Sequence, residues 1–338
     1  MAFLLLLLFL QTLWASTYVV WKMSSSLMPV GMVLVVRYGI ALLALCSVVG
    51  CRRWMRGNSA MPAPVPWRGR DAACIAAIGL LNFALGPYLQ IVSLQMTLAA
   101  DAAVIVALEP VVTAILAACV LHERLDRRTV LTFLIGTVGI AILSGVRFDG
   151  TAAFGTTRWI GNGLFATALL SEAAYSVASG RLTQRYDPLR LITWMIAAGM
   201  AGNLAVHWPN LTWSQLTAVP WSGWLLVAYL GLCCSAFGYA AWTYLARRIP
   251  VSRLALSLLL QPILGGGFGA LVLGESLDWH WGLGATLTLS SLIFWLRPGF
   301  IASHRPCIPT VIMAPSTRDG CFVAQDGNEG EDRSPRGC

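Results

Sequence analysis

Four ionisable side chains fall where their surroundings make charge costly: Glu172, Glu109, Arg37 and Lys22, the only lysine in the chain. Holding a charge at bilayer depth costs about 2.5–3.5 kcal/mol on insertion scales, and such residues mark cavities or pathways. Glu172 lies near the middle of an apolar stretch, flanked by Ser171 and Tyr175. Burial disfavours the ionised form of any carboxyl group, which suits an acid at that depth to exchanging protons near neutral pH. Its chemistry would be to bind a cationic or amine-bearing solute or a coupling proton; the alternative is a static pair with Arg37 or Lys22. Arg37 can hold a carboxylate through two parallel hydrogen bonds, or extend to the outer headgroups.

Uncharged groups extend the set. Glu109-Pro110 and Gln261-Pro262 repeat one pattern at two places. Proline removes a backbone donor and disturbs the helix ladder, so each can act as a hinge or expose a carbonyl to a cavity, or simply kink the helix for packing. Asn82, followed by Gly86-Pro87-Tyr88, either lines the same cavity or packs as an interhelical hydrogen bond. Trp14, Tyr18, Tyr175, Tyr239 and Trp242 offer an aromatic lining. Gly265-Gly266-Gly267 and Gly269 fit close helix contact, and Glu123 and Glu275 fit stabilising turns at helix ends. His122, His207, His280 and His304 are not spaced for zinc, and the nine cysteines show no Cys-x-x-Cys pair, so we expect no metal site and no disulfide framework.

The elements that must position these groups follow from composition. Of 338 residues, 57% are hydrophobic and only 11% charged, against about 25% charged in a soluble domain. That balance excludes a soluble enzyme, a disordered chain and a nucleic-acid binder. Apolar runs fall at 3–22, 30–51, 72–93, 98–120, 129–147, 160–179, 189–207, 222–245, 251–273 and 280–297. Each is long enough to cross a bilayer, for which roughly 20 residues suffice. Fourteen of the 23 basic residues lie in the loops after even-numbered runs, among them Arg52, Arg124, Arg181 and Arg247, against three in the odd-numbered loops. The positive-inside rule then places both termini in the cytoplasm. The turn 207–224, with Trp208, Trp213, Trp221 and Trp224, falls outside as an aromatic belt, and carries the sequon Asn210-Leu211-Thr212. The opening run lacks a basic start and a cleavage site, so it reads as a span and not a cleaved signal. Residues 299–338, charged and rich in Pro, Gly and Ser, read as a disordered cytoplasmic tail.

Shifting the chain by 152 residues lays Gly79-Leu80 on Gly231-Leu232, Gly86 on Gly238, Pro110 on Pro262 and Glu123 on Glu275. Two five-helix halves follow, 1–147 and 148–298, and an odd helix number makes them insert with opposite orientation. Inverted repeats put the substrate near the midplane where the halves meet.

The motifs point to a family. "LWASTYVVWK" (13–22), "RYGIALLAL" (37–45), "LLSEAAYSVASGRL" (169–182) and the paired "ALEPVVTAILAACVLHERL" (107–125) and "LLQPILGGGFGALVLGESL" (259–277) together resemble the drug/metabolite transporter superfamily, in its ten-helix EamA-type branch. The resemblance covers about residues 3–297. It implies an all-α integral membrane protein that moves a small organic metabolite, an amino acid or related compound, across the cell's inner membrane by alternating access, with export the usual direction and proton coupling open. An exporter of hydrophobic amines or nucleoside-like drugs is the alternative. An aromatic such as Trp is commoner in the family where this chain has Glu172. No phosphate-cradling Gly-x-x-x-x-Gly-Lys-Ser/Thr motif is present, so transport is expected to run on an ion gradient or the solute's own gradient. The short loops hold no catalytic cluster, and we expect no cofactor and no enzyme activity. The expected partners are the solute and the bilayer, without nucleic acid; a homodimer is open. A membrane enzyme or a sensor is the rival reading, and both lack a supporting residue cluster or output domain.

Overall fold

The computed structural model describes residues 2–56, 65–96, 99–143, 156–274 and 277–296. Among them every regular element is helical. The long helices are α1 (Ala2–Ser25), α2 (Val30–Arg56), α3 (69–94), α4 (Ala99–Leu121), α5 (Arg127–Leu143), α6 (Thr156–Leu182), α7 (Pro188–His207), α8 (221–246), α9 (251–273) and α10 (Trp279–Leu296). By length and apolarity, six are able to cross a membrane: α1, α2, α3, α7, α8 and α9. The tail 299–338 and Glu275 lie outside the described residues. In the turn 207–224 a short helix, Trp213–Ala218, starts on a Thr212/Gln215 capping box. Trp208, Trp213 and Trp221 are exposed there, while Trp224 packs inward beside Val219 and Val227.

Two of these helices carry a wide turn, and each has a local cause or partner. Pro87 has no N–H to offer the carbonyl of Phe83, so α3 opens over Leu81–Leu85 and the N–H of Gly86 reaches back five residues to Leu81. The Phe83 carbonyl is met instead by Asn203 Nδ2 of α7 at 2.7 Å. In α8 the turn spans Leu230–Phe237, Gly238 N–H reaches Cys233, and the Cys234 carbonyl accepts Trp14 Nε1 from α1 at 3.1 Å. Both turns therefore convert a freed carbonyl into a contact between helices. Two left-handed residues end α4 and α9, His122 (φ 56) and Gly274 (φ 69), again 152 positions apart.

Packing follows a crossed pattern: α1 lies on α9, α4 on α6, α2 on α7 and on the wide turn of α8, and α3 on both α6 and α7. Small residues permit the closest approaches, as expected where lipid-soaked helices associate by van der Waals contact. In the glycine stripe 265–269, Gly266 meets the Trp281 indole closely and a Cβ on Gly265 would lie 3.8 Å from the Ala15 carbonyl oxygen, while Gly267 faces nothing within 4 Å. The tight crossings are Gly79 on Gly199 and Gly139 on Gly284. A Cβ on Gly284 would come within 2.3 Å of the Gly139 carbonyl oxygen, whereas Gly282 faces open space. Gly284→Val should thus destabilise the protein by about 3 kcal/mol, read as a lowered melting temperature in detergent, with Gly282→Val leaving it unchanged.

Candidate functional site

A cavity of about 760 Å³ lies among α1, α2, α3, α4, α6, α8 and α9. Its mouth is marked by the exposed side chains of Lys22, Ser25 and Gln95, at one end of the bundle. Its size suits a small metabolite, since ligand pockets run to about 300–1,000 Å³.

Glu109 and Glu172 both line it. Packing of α4 on α6 brings both carboxyl groups into this one cavity, near enough to interact through space. Gln90 Nε2 of α3 donates to Glu172 Oε1 at 3.0 Å. A static pair between Glu172 and Arg37 is not formed: among the described residues no ion pair within 4.0 Å joins them. Two acids side by side favour a cation between them, either a solute ammonium or a proton.

Arg37 faces the same cavity and is only 6% exposed, which removes the headgroup alternative. Its Nε donates to Ser235 Oγ, in the wide turn of α8, at 2.7 Å. Its guanidinium carbon lies 5.5 Å from the Trp21 ring centre and 5.2 Å from that of Tyr38, within cation–π range. The cavity therefore carries a guanidinium and a pair of acids, held by different helices and close enough to interact through space.

An aromatic wall completes it. Trp14 packs against Tyr239 and Trp242 with ring centres 5.6 and 5.3 Å apart, and Tyr175 meets Tyr239 edge-on at 5.3 Å. The Tyr175 hydroxyl is paired with Thr243 Oγ1 at 2.7 Å. The side chain of Tyr18 lies outside the described residues. Asn82, the second residue of the α3 wide turn, lines the cavity, and so does Gln261. Gln261 is not free to act alone, because its amide donates to Gln11 Oε1 at 2.9 Å while Gln11 donates to Ser257.

The two prolines differ. Pro110 sits inside a continuous α4, whereas Pro262 follows a tight 3₁₀ stretch, Leu256–Leu260, that breaks the geometry of α9. Neither proline lines the cavity.

At the end opposite the mouth, Glu123 reaches across to the start of α9. Its Oε1 accepts the Val251 N–H at 2.8 Å, and its Oε2 accepts the Ser252 N–H at 2.8 Å and the Ser252 hydroxyl at 2.5 Å. It is thus no local turn residue but a clamp between α4 and α9. Nearby, Tyr186 donates to Asp71 at 2.7 Å and Arg185 pairs with the same carboxylate at 3.6 Å, closing α6 onto α3.

Sequence reasoning missed Gln11, Gln90, Ser235 and Phe83. Gln11 and Gln90 carried a usable signal, Gln11 as the lone amide of the run 3–22 and Gln90 as the second amide, after Asn82, of the run 72–93. Ser235 and Phe83 carried none: a serine beside two cysteines and one phenylalanine among many look like helix filler.

Apolar helices around a polar, partly charged cavity define a multi-pass membrane protein of the transport type. The EamA-like transporter family matches residues 1–145 and 159–297, and the chain belongs to that family. It is 28% identical over 195 residues to the "Probable terminal-alkyne amino-acid exporter" of Streptantibioticus cattleyicolor, covering 58% of this chain and 63% of that protein. It is 24% identical over 197 residues to the uncharacterized transporter YyaM of Bacillus subtilis, covering 58% and 64%. The chain thus spans less than two thirds of the length of these two relatives. An uncharacterized transporter of Archaeoglobus fulgidus is 24% identical over 283 residues, 82% of this chain and 94% of that one. A solved crystal structure 20% identical in sequence superposes with a TM-score of 0.69 over 87% of this chain and 96% of its own. That likeness concerns the fold.

Proposed function

We propose that the protein is a secondary transporter that exports a small amino-acid-like metabolite across the inner membrane by alternating access. The observation that carries this reading is one cavity holding both an acid pair, Glu109 and Glu172, and a cavity-facing guanidinium, Arg37. An ammonium group has its counter-charge at the first and a carboxylate at the second. The name of the Streptantibioticus relative agrees with such a solute.

The reading includes ten spans in two inverted halves with both termini inside. Support comes from helix limits: α4 and α9 run over 99–121 and 251–273, one register 152 residues apart, and the wide turns of α3 and α8 end at Gly86 and Gly238 in that register. In this topology the mouth beside Ser25 and Gln95 faces outward and the Glu123 clamp faces the cytoplasm. The acid pair would take the coupling proton, which enters as the solute leaves.

The aromatic wall of Trp14, Tyr239 and Trp242 supports a second reading, export of a hydrophobic amine, because these rings attract cations. Counterflow in proteoliposomes, run at two pH values with amino acids, amines and nucleosides, separates the two. We expect amino-acid exchange that varies with pH. Flux of amines alone supports the second reading, and no flux of any of the three classes refutes transport as stated.

A further inference from the structure

Most polar groups around the cavity have a protein partner, as buried groups normally do. Asn82 does not. It is 2% exposed, it lines the cavity, and neither its Oδ1 nor its Nδ2 meets a protein hydrogen-bond partner. The indole N–H of Trp242, a residue that is 1% exposed and also lines the cavity, has none either. The contrast is local. Arg37, Glu172, Gln261, Tyr175 and Trp14 all bond to protein atoms.

Unpaired buried donors and acceptors are costly, so a ligand that satisfies them is selected strongly over one that does not. Asn82 and Trp242 together leave over one acceptor and two donor groups. An amine has donors only and would leave Asn82 Nδ2 and Trp242 Nε1 unpaired. A simple carboxylate has acceptors only and would leave Asn82 Oδ1 unpaired. An α-amino acid has both, on adjacent atoms.

We propose that Asn82, assisted by Trp242, is the specificity residue of the transport site and reads the α-ammonium and α-carboxylate of the solute together. Asn82 Oδ1 accepts from the ammonium, and Asn82 Nδ2 and Trp242 Nε1 donate to the carboxylate. Arg37 and the acid pair supply charge from farther out. Asn82 has the position for this role because the wide turn of α3 sets it against the cavity, and wide turns of this kind recur at functional sites. The assignment rests on the amino-acid reading above and rejects the hydrophobic-amine alternative.

The test uses the purified full-length chain in nanodiscs and two matched series: L-leucine, 3-methylbutylamine and 4-methylpentanoate; L-phenylalanine, 2-phenylethylamine and 3-phenylpropionate. Binding is read by thermal shift. The wild type should bind one or both amino acids at least about tenfold more tightly than the matching amine or acid. Asn82→Leu should erase that preference while the ligand-free protein melts no lower than wild type. Trp242→Phe, which keeps the ring and loses the N–H, should weaken amino acid and acid but not amine. An Asn82→Leu protein that keeps the wild-type preference overturns the proposal, and Asn82→Ala serves the same purpose if the leucine variant does not fold. Wild-type binding of the amines with no preference for the amino acids also overturns it. No shift with any of the six compounds sinks the amino-acid reading and this assignment with it.

Discussion

Glu172→Gln should abolish the pH dependence of transport and lower the rate by about 100-fold, the scale on which removing a positioned proton-transfer group acts. The substitution is close to isosteric. A glutamine at 172 keeps an oxygen for Gln90 Nε2, whose hydrogen bond the carboxyl group now accepts at 3.0 Å. The folded protein should therefore melt as the wild type does. What disappears is one carboxyl of the acid pair and with it the counter-charge for a solute ammonium. Glu109→Gln should act in the same direction, and the double variant should be no worse than Glu172→Gln alone, because the two acids work as one group. Counterflow at two pH values on proteoliposomes of matched protein content measures this. Wild-type flux with wild-type pH dependence in Glu172→Gln would make the pair a structural feature.

Glu123→Ala should free the end of the bundle opposite the mouth. Three hydrogen bonds converge on this one side chain, from two backbone N–H groups and one hydroxyl at the first turn of α9. A carboxylate there also faces the positive end of a helix. Hydrogen bonds to a charged group contribute about 1.5–3 kcal/mol each. Three such bonds sum to about 4.5–9 kcal/mol, but water re-bonds the freed groups once the end opens. A net loss of about 2.7 kcal/mol is therefore expected, or about 100-fold in how often α4 and α9 separate. Leu121 and Val251 pack over Gly180 beside the clamp, so parting α4 and α9 would open that end. Hydrogen–deuterium exchange of a peptide spanning residues 247–256 should therefore rise steeply in Glu123→Ala, with Glu123→Gln intermediate. Unchanged exchange would reduce Glu123 to a helix cap without a gating role.

Much of the architecture was legible in the chain because the bilayer allows few solutions. Apolar runs, bounded by arginines and turn residues, marked the helices to within a few positions, as with 251–273 for α9 and 189–207 against Pro188–His207 for α7. The costly groups also marked themselves. Glu172, Glu109, Arg37, Asn82, Gln261, Trp14, Tyr175 and Tyr239 all line one cavity.

The tertiary structure alone decided what those groups do to one another. Arg37 meets Ser235 across 198 positions, Gln11 meets Gln261 across 250, and Glu123 meets Val251 across 128. Periodicity within a helix says which residues share a face, but these helices are apolar nearly all round, so no polar stripe announces which face turns inward. The rotation of each helix and its height against its neighbours are set by close contacts such as Gly139 on Gly284 and by the wide turns that end at Gly86 and Gly238. The glycine stripe at 265–269 shows the limit, since small residues permit close packing and only the neighbouring helix determines whether it occurs. Read along the chain, the residues specify a helical membrane protein with charges worth locating; folding in three dimensions turned two of those charges into an acid pair, a third into a guanidinium held by a serine, and a helix-end glutamate into a clamp.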